Sequence, residues 1–351
     1  MHPTVDPNDP QSPGGVRVYL RTLRKYMDSA ATAALAAAPG ADVILTNAIS
    51  PYGHDIAESM NIPSIDMLLQ PAHPSADYPP MIFSSRDLGR FGNRLAGRLA
   101  QAVPTPIDPA CARVRRELGL PAEGRRAAQK RRWREGRPVH HGISLVVLPR
   151  PGDWPPELLL DGYWWPHEPA GWAPSDDLAS FLDAGPAPLV VSLGSVPSGT
   201  AATAAVVDAL RETGVRAVLQ GGEFEPLVAD LDLPGVLHVG DVPHSWLLPR
   251  SAAVVHHAGA GITAACLRAG VPSIPMPVHT DQPFWASRLA RLGAGTAPVP
   301  AAKATRAQVT AAIKEATELP DLRKGAQRIA DALAAEDGTA LLRARLRSLA
   351  G

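Results

Sequence analysis

The stretch VVHHAGAGITAACLRAGVPSIP, residues 254–275, places two adjacent histidines at the end of an apolar strand and directly before a helix. Residues 258–261 are all small, so the backbone N–H groups that open the helix can face an anion directly. The helix N-terminus carries about half a positive charge, which suits a diphosphate, and His257 can donate an imidazole N–H to the same group. The combination predicts an anion site. The alternative is that His256 and His257 are satisfied core histidines and that the glycines only pack, since GAG is not extended to the GxGxxG dinucleotide fingerprint.

Working outward, apolar strands alternate with helices from Pro188 onward, which predicts a doubly wound parallel sheet. Ligands of such sheets bind beyond the carboxyl ends of the strands. Ser195 ends the first of these strands, where its hydroxyl can donate to a phosphate oxygen, although a plain turn explains SLGS equally well. Asp281 and Gln282 follow the last strand and can bond sugar hydroxyls. A helix N-cap is the equal alternative for Asp281.

The rest of the chain predicts a second α/β unit and a connector. Residues 1–15 are polar and rich in proline, and we expect them to be disordered or a loop. Residues 16–150 open with a βαβ rhythm, which predicts a parallel sheet, and continue with helices between 84 and 137. Residues 151–175 are rich in Pro, Gly and Trp and predict an interdomain connector whose tryptophans pack where two domains meet. Residues 176–351 form the second domain and end in two or three helices.

Charge and composition exclude several classes of partner. The chain has 34 Lys+Arg and 34 Asp+Glu, so no net field attracts nucleic acid or an acidic membrane. The basic run from residue 113 to 137 favours a solvated helix and loop over contact with an anionic surface. The two cysteines, Cys111 and Cys266, form no disulfide framework and fit a reducing compartment. Because no apolar run reaches about 18 residues, we predict a cytoplasmic protein without stable membrane insertion or a nucleic-acid partner.

Three segments together resemble a known family. They are DVPHSWLLPRSAAVVHHAGAGITAACLRAGVPSIPMPVHTDQPFWASRLARLGAG at 241–295, VVSLGS at 190–195 and GYWW at 162–165, and residues 20–65 match as well. The chain is similar to nucleotide-sugar glycosyltransferases of the GT-B fold, in particular to bacterial family 1 enzymes that glycosylate natural products, sterols and lipids. This resemblance implies an α/β protein with two Rossmann-like doubly wound domains facing a cleft. The match starts well inside the first domain, so we expect the N-terminal domain to be truncated.

The resemblance also implies roles for individual residues. They are donor diphosphate binding by Ser195, His257, Gly259, Ala260, Gly261 and Thr263, nucleobase contact by the backbone at Val242, and sugar binding by Asp281 and Gln282. Trp246 is expected to pack and His256 to be structural. Ala258 is a mild departure from the family's glycine. Ile262 replaces a threonine whose hydroxyl reaches phosphate, a loss worth about ten- to a hundredfold in donor affinity that Thr263 would offset in part.

The reaction implied by the resemblance is the inverting transfer of a hexose from a UDP- or dTDP-sugar to a hydroxyl of a lipophilic small molecule, without a metal or another cofactor. The family's acceptor base is a histidine after the opening strand, and it has no counterpart in this sequence. His54, after the strand ADVILTN, is expected on the cleft side and is the candidate base. A dyad with Asp55 is disfavoured because adjacent residues diverge on a helix.

Four hypotheses about function stay open. The first is an active transferase whose natural chain is longer than this sequence. The second is a short, catalytically impaired homologue that binds a nucleotide sugar or acts as a partner protein. The third is a chain that completes its sheet by self-association or with another polypeptide. The fourth is a phosphosugar epimerase of the same two-domain shape. The sequence does not determine the nucleotide, the sugar, the acceptor or the oligomeric state.

Overall fold

The computed structural model describes residues 13–81, 86–167, 170–194, 200–221, 224 and 233–350. This part of the chain folds into two parallel sheets surrounded by helices, as the α/β prediction requires. Ser195, one of the predicted phosphate contacts, lies outside the described residues. None of the helices in the described ranges combines the length and the apolar character needed to cross a membrane.

The first sheet has four parallel strands in the order β1-β2-β3-β4. Its strands are β1 (Ile44–Thr46), β2 (Ser64–Leu68), β3 (Val139–His141) and β4 (Leu158–Leu160). The helices of this half are α1 (Pro13–Ala37), α2 (Gly53–Met60), α3 (Gly89–Ala100), α4 (Asp108–Glu117) and α5 (Arg125–Arg134). Helix α2 ends as predicted before Ile62-Pro63, because Asn61 takes the left-handed conformation and closes the last turn.

Helices α1, α2 and α4 share one apolar core built from Met27, Ala31, Ile56 and Val114, among other residues. The predicted basic run is more than a solvated surface. Arg115 is buried, and its guanidinium lies 2.6 Å from the buried Asp55 carboxylate. Other basic side chains of the run, such as that of Arg131, pair with glutamates of the same domain. These ion pairs hold α4 and α5 against α2.

The second sheet has five parallel strands in the order β7-β6-β5-β8-β9. Its strands are β5 (Leu189–Ser192), β6 (Ala217–Gln220), β7 (Val236–Val239), β8 (Ala253–His256) and β9 (Ser273–Pro275). The helices of this half are α6 (Asp176–Asp183), α7 (Thr200–Thr213), α8 (His244–Leu247), α9 (Ala260–Ala269) and α10 (Gln282–Arg291). The first strand of the series lies in the middle and the order reverses between β5 and β8. This is the topological switch point at which doubly wound sheets bind ligands.

Three helices complete the chain: α11 (Arg306–Glu318), α12 (Pro320–Leu333) and α13 (Ala340–Ala350). The turn between α12 and α13 returns to the first half of the molecule. There Glu336 accepts a hydrogen bond from Ser144 Oγ at 2.6 Å, and the Gly338 carbonyl accepts one from Trp164 Nε1 at 2.8 Å. Trp165 stacks under the Arg268 guanidinium, 4.4 Å from the ring centroid. Trp164 and Trp165 of the predicted connector therefore pack between the two halves, whereas Trp154 packs within the first half and Trp172 against Trp246 in the second.

Three details differ from the sequence-based expectations. Helix α1 begins at Pro13, inside the segment 1–15 that was expected to lack structure. Strand β4 lies inside the predicted connector 151–175 and pairs with β3, so the first sheet extends further along the chain than predicted. Over the described residues only the second sheet reverses its strand order, because every crossover in the first sheet steps in the same direction. The predicted α/β architecture with two parallel sheets is confirmed, and the reversal of strand order that the described residues show lies in the second sheet.

Candidate functional site

The imidazole of His257 lies at the switch point, packed against two glycines. His257 directly follows β8, and Gly194 lies two residues beyond the end of β5. A Cβ added to Gly194 would stand 2.8 Å from Cε1 and Nδ1 of His257, and one added to Gly259 would stand 2.5 Å from Nε2. Real Cβ atoms do not approach other atoms so closely. Glycine at both positions is therefore what leaves room for the ring.

The N-terminus of α9 opens beside this histidine. Gly259 is the N-cap residue, with extended backbone and no side chain to occupy the first N–H groups. The first hydrogen bond within the helix runs from the Thr263 N–H to the Gly259 carbonyl at 3.0 Å. The N–H groups of Ala260, Gly261 and Ile262 thus have no helical partner. A helix N-terminus of this kind attracts an anion such as a diphosphate.

His256 and Ala258 form the turn between β8 and α9. His256 is fully buried, and its Nδ1 accepts the Ala258 N–H at 3.1 Å. Burial lowers the pKa of His256 to about 3, with a smaller contribution from the neighbouring histidines, so its ring is neutral and structural. Ala258 has a φ of 60°, in the left-handed region that costs an L-residue about 1–2 kcal/mol. The replacement of the family's glycine is therefore not as mild as the sequence predicted.

Ile262 and Thr263 point to a different role from the one that the resemblance implied. The Ile262 side chain is buried in a core cluster with Val242, Val254 and Cys266. Thr263 is also buried, and its Oγ1 has no hydrogen-bond partner among the described residues. Position 262 thus belongs to the packing beneath the site. The enclosed Thr263 hydroxyl does not support the predicted compensation.

The segment after β9 orients the two residues predicted to bind sugar. Gln282 Oε1 accepts the N–H groups of Val278 at 2.7 Å and His279 at 3.2 Å, which leaves the Gln282 amide nitrogen as a donor. Asp281 Oδ2 accepts the indole N–H of Trp285 at 3.1 Å. Asp281 occupies the N-cap position of α10, but its carboxylate makes no capping hydrogen bond to the backbone N–H groups of that helix, so the structure does not support a capping role for the side chain.

The pKa of His257 shows which polar groups surround its ring. Burial lowers the pKa of His257, while the Ser192 carbonyl and the Asp281 carboxylate act in the opposite direction, and His244 and His279 lower it further. The ring is therefore neutral at neutral pH. The influence of Asp281 also places the predicted sugar-binding carboxylate near the predicted diphosphate ligand.

The predicted nucleobase contact at Val242 adjoins a residue that the sequence reasoning missed. Gln220 ends β6, and its Nε2 donates to the Val242 carbonyl at 2.9 Å, while Gln220 Oε1 is enclosed without a partner among the described residues. His244, which starts α8, is the second missed residue, since it affects the pKa of both His256 and His257. A polar side chain at a strand end was the available signal for Gln220.

His54 does not lie where the sequence predicted it. Its Nε2–H donates to Asp66 Oδ1 at 2.8 Å, and its Nδ1 lies 2.8 Å from Ser64 Oγ, both on β2. Burial raises the pKa of Asp66, but the hydrogen bond and charge of His54 outweigh it and leave this pKa lowered. The ring is buried against the sheet and both nitrogens are engaged. The geometry therefore corrects the expectation of a cleft-facing base. Asp55 pairs elsewhere, as predicted.

A second histidine–carboxylate pair lies in the first sheet. His140 Nδ1 donates to Asp161 Oδ2 at 2.7 Å, and both side chains are almost completely buried. His140 Nε2 is enclosed and has no partner in the described ranges. The sequence signal was the HHG of residues 140–142, which parallels the HHAG of the second half. In this arrangement the free nitrogen does not reach an open cleft.

Comparison with known proteins adds to this geometry. Residues 215–347 match the family described as erythromycin biosynthesis protein CIII-like, C-terminal domain. The chain is 40% identical over 223 residues to an O-mycaminosyltylonolide 6-deoxyallosyltransferase of Streptomyces fradiae, covering 63% of this chain and 51% of the relative. It is 31% identical over 310 residues to a sterol 3-beta-glucosyltransferase of Arabidopsis thaliana, covering 86% and 47%. The chain thus spans about half the length of these curated relatives.

Solved structures with the same fold include the glycotransferase of kitacinnamycin, with a TM-score of 0.67, 20% identity and coverage of 96% of this chain and 84% of the other. Another is glycosyltransferase VinC in complex with dTDP, with a TM-score of 0.61, 19% identity and coverage of 94% and 79%. These likenesses show the GT-B fold.

Proposed function

We propose that this chain, a homologue of glycosyltransferases with the GT-B fold, transfers a hexose from a nucleotide diphosphate sugar to a small-molecule hydroxyl. Its residues 215–347 match the erythromycin biosynthesis protein CIII-like C-terminal domain. The acceptor is a lipophilic molecule and the nucleotide is UDP or dTDP. The configuration at the anomeric carbon is inverted and no metal ion is needed.

The observation that carries the proposal is the position of His257. The ring lies at the switch point between β5 and β8, between Gly194 and Gly259, next to the unpaired N–H groups that open α9. Donors placed where charge develops on a leaving diphosphate stabilise the transition state without reorganisation. This is the chemistry that sugar transfer from a nucleotide diphosphate requires.

Asp281 and Gln282 hold the hexose in this proposal. The Gln282 amide nitrogen and the Asp281 carboxylate lie at the start of α10, on the same edge of the sheet as His257. The carboxylate oxygens accept one hydrogen bond each, from Thr280 and from Trp285, and retain further acceptor capacity. The relatives support a hexose donor and a lipophilic acceptor, because their names describe a deoxyallosyltransferase and sterol glucosyltransferases. The solved complex of VinC with dTDP supports a nucleotide diphosphate.

The first test is calorimetric titration of the 351-residue chain with UDP and with dTDP. We expect binding that His257→Ala abolishes and that His167→Ala, a change of an exposed histidine elsewhere, leaves intact. Unchanged nucleotide affinity in the folded His257→Ala variant would reject the assigned site.

Transfer is tested separately with UDP-glucose or dTDP-glucose and a sterol or macrolide aglycone. The product mass reports transfer, the anomeric coupling constant reports inversion, and activity retained in EDTA reports metal independence. If nucleotide binding is intact but no transfer occurs, the proposed transferase activity is rejected and the proposed nucleotide-binding site is retained.

A second candidate, nucleotide-sugar binding without transfer, is favoured by one observation. In the described residues both ring nitrogens of His54 are engaged and the free nitrogen of His140 is enclosed. Neither can take a proton from an acceptor in this arrangement. Binding without product from any acceptor would support this candidate. Self-association, a completing chain and a cytoplasmic location stay predictions.

A further inference from the structure

A cavity of about 230 Å³ lies between the two halves of the molecule, and His257, Gly194 and Gly259 of the switch point are not among the residues that line it. Residues of the first half, including Tyr78 and Leu148, form one wall. Phe284, Ser287, Arg288 and Arg291 of α10 form the other. The α10 positions are spaced i, i+3, i+4 and i+7, so they share one face of the helix. The cavity therefore combines an apolar, partly aromatic surface with two guanidinium groups.

The positive charge of this wall is not paired directly with a carboxylate. The nearest charge interaction is with the exposed Asp87, whose pKa is lowered mainly by hydrogen bonds from Asn93 and Gly89 and further by the charge of Arg291. Neither Arg288 nor Arg291 forms an ion pair among the residues that the structure describes. Arg288 donates its Nε–H to the Val147 carbonyl, which positions the guanidinium beside the cavity. Burial lowers the pKa of Arg288, and the charge of Arg291 adds to this. A guanidinium that is partly desolvated and lacks a counterion is stabilised by an incoming anion.

The other charged residues around the cavity do not neutralise these arginines. Asp77 lines it too, but its carboxylate accepts hydrogen bonds from Arg90 at 2.5 Å and from the Gly152 N–H at 3.0 Å. Arg150 donates to the carbonyls of residues 154, 155 and 158 and adds to the positive charge.

Tyr78 adds an unused donor to the cavity wall. Its ring is 7% exposed and packs edge-to-face on Phe284, with 5.6 Å between the ring centroids. The Tyr78 hydroxyl is buried and has no hydrogen-bond partner in the described part of the chain. Burial raises the pKa of this hydroxyl well above its usual value, with Asp153 and Asp77 adding to the effect, so it stays protonated. The hydroxyl is thus a spare donor on a residue that lines the same cavity as Arg288 and Arg291, and such a donor matches an oxyanion.

We propose that this cavity binds the carboxylate of a flat, apolar organic acid. The carboxylate would receive hydrogen bonds from Arg288, Arg291 and the Tyr78 hydroxyl, and its apolar body would pack on Phe284 and Leu148. Arginine suits this ligand because its planar fork matches a carboxylate. None of the residues that line the cavity is a predicted donor-site residue, and the arginine end is offset from that site, since Arg288 lies about 9 Å along α10 from Gln282 at 1.5 Å per residue. The binding holds whether or not the chain transfers sugar.

The test is calorimetric titration of the full chain with 6-hydroxy-2-naphthoate and with its neutral counterpart 6-hydroxy-2-naphthamide. We expect the acid to bind about tenfold more tightly or better, and the preference to disappear in Arg288→Gln/Arg291→Gln. The double change Arg345→Gln/Arg347→Gln on the exposed surface of α13 removes the same amount of charge, and this variant should retain the preference for the acid. Arg291→Gln alone is a second variant in case loss of the Arg288–Val147 contact prevents folding, because Arg291 is exposed.

Equal affinity for acid and amide, or a preference that survives in the arginine variants, would overturn the proposal. If the acid binds as expected, a second experiment decides whether it is an acceptor substrate or a separate effector. UDP-glucose or dTDP-glucose is added to the chain with naphthoate bound, and the products are analysed. A glucosylated product identifies the acid as an acceptor. Arginine-dependent binding without product identifies it as a separate effector, and both results keep the carboxylate site.

Discussion

The imidazole of His257 lies against Gly194, a residue 63 positions earlier in the chain, so closely that a Cβ at Gly194 would stand 2.8 Å from two ring atoms. The two residues follow the ends of the neighbouring strands β8 and β5, and the contact is made where the strand order reverses. The position of the predicted phosphate ligand therefore depends on the absence of side chains around it.

Gly259→Ala tests this dependence. Gly259 has a φ of −65°, which alanine tolerates, so the expected effect is the clash with His257 Nε2 at 2.5 Å and not backbone strain. Displacement of the ring should lower the affinity for UDP or dTDP about tenfold or more, measured by calorimetry. Gly124→Ala is the matched control, since Gly124 is also an extended helix N-cap and has nothing within 4 Å of an added Cβ. Full affinity in Gly259→Ala would show that the ring position is unimportant.

Ala258→Gly tests the left-handed turn. Glycine relieves the strain of about 1–2 kcal/mol at a φ of 60° and offsets the loss of a buried methyl group. Ala264→Gly loses a comparable methyl group inside α9 without any relief. We expect the free energy of unfolding in urea to fall by at least about 1 kcal/mol more for Ala264→Gly than for Ala258→Gly. Equal losses would contradict the strain.

His54→Ala separates a structural role from a catalytic one. The change removes two side-chain hydrogen bonds and leaves the Asp66 carboxylate unpaired, so the free energy of unfolding should fall by about 1–3 kcal/mol. Nucleotide affinity should not change. Ser64→Ala removes one of these bonds and a long one from Arg137 at 3.3 Å, but it leaves the His54–Asp66 pair intact and should cost less. The contrary result is a turnover per folded molecule of His54→Ala that is about 10²–10⁴-fold below that of the unmodified chain. That result would identify His54 as the catalytic base.

Asp281→Asn tests sugar binding. The asparagine oxygen can still accept the Trp285 indole N–H, so the fold is maintained while the charge is removed. We expect the affinity for UDP-glucose to fall about tenfold relative to that for UDP, because only the sugar loses a charge-assisted hydrogen bond. The surface change Asp208→Asn is the control. If the affinity for UDP-glucose relative to UDP is the same in Asp281→Asn as in this control, Asp281 does not bind the sugar.

Acid sensitivity follows from three buried histidines. Burial is the main cause that lowers the pKa of His73 to about 3, of His141 to about 4 and of His256 to about 3. Their stabilising effect is complete above the unfolded pKa of about 6.5 and is lost as pH falls towards these folded values, because the unfolded chain then binds more protons. Each group contributes at most about 1.4 kcal/mol per pH unit. Urea midpoints should fall steadily from pH 7 to pH 5, and His141→Gln should reduce the slope. Constant midpoints would contradict the buried neutral state.

The sequence alone predicted the local parts of this protein correctly. Strand and helix formation depend largely on the pattern of apolar residues over a few neighbouring positions. The strands β5 to β9 and the helix after His257 therefore lie where they were expected. Adjacency of the motifs ending β5, β8 and β9 also followed, since the doubly wound order is a general rule of such sheets. The unpaired N–H groups at Ala260 and Gly261 are a property of any helix start.

Only the tertiary structure decided which distant side chains meet. His54 binds Ser64 and Asp66, and the enclosed Gln220 binds the Val242 carbonyl, through contacts that no spacing in the sequence predicts. The cavity beside Arg288 and Arg291 exists because α10 packs against loops from the other half of the molecule. The physical reason is that burial, loss of solvent and pairing of charges depend on the whole packed arrangement. The sequence specifies the chemical groups of each residue, but the packing of the whole chain determines which of these groups come into contact.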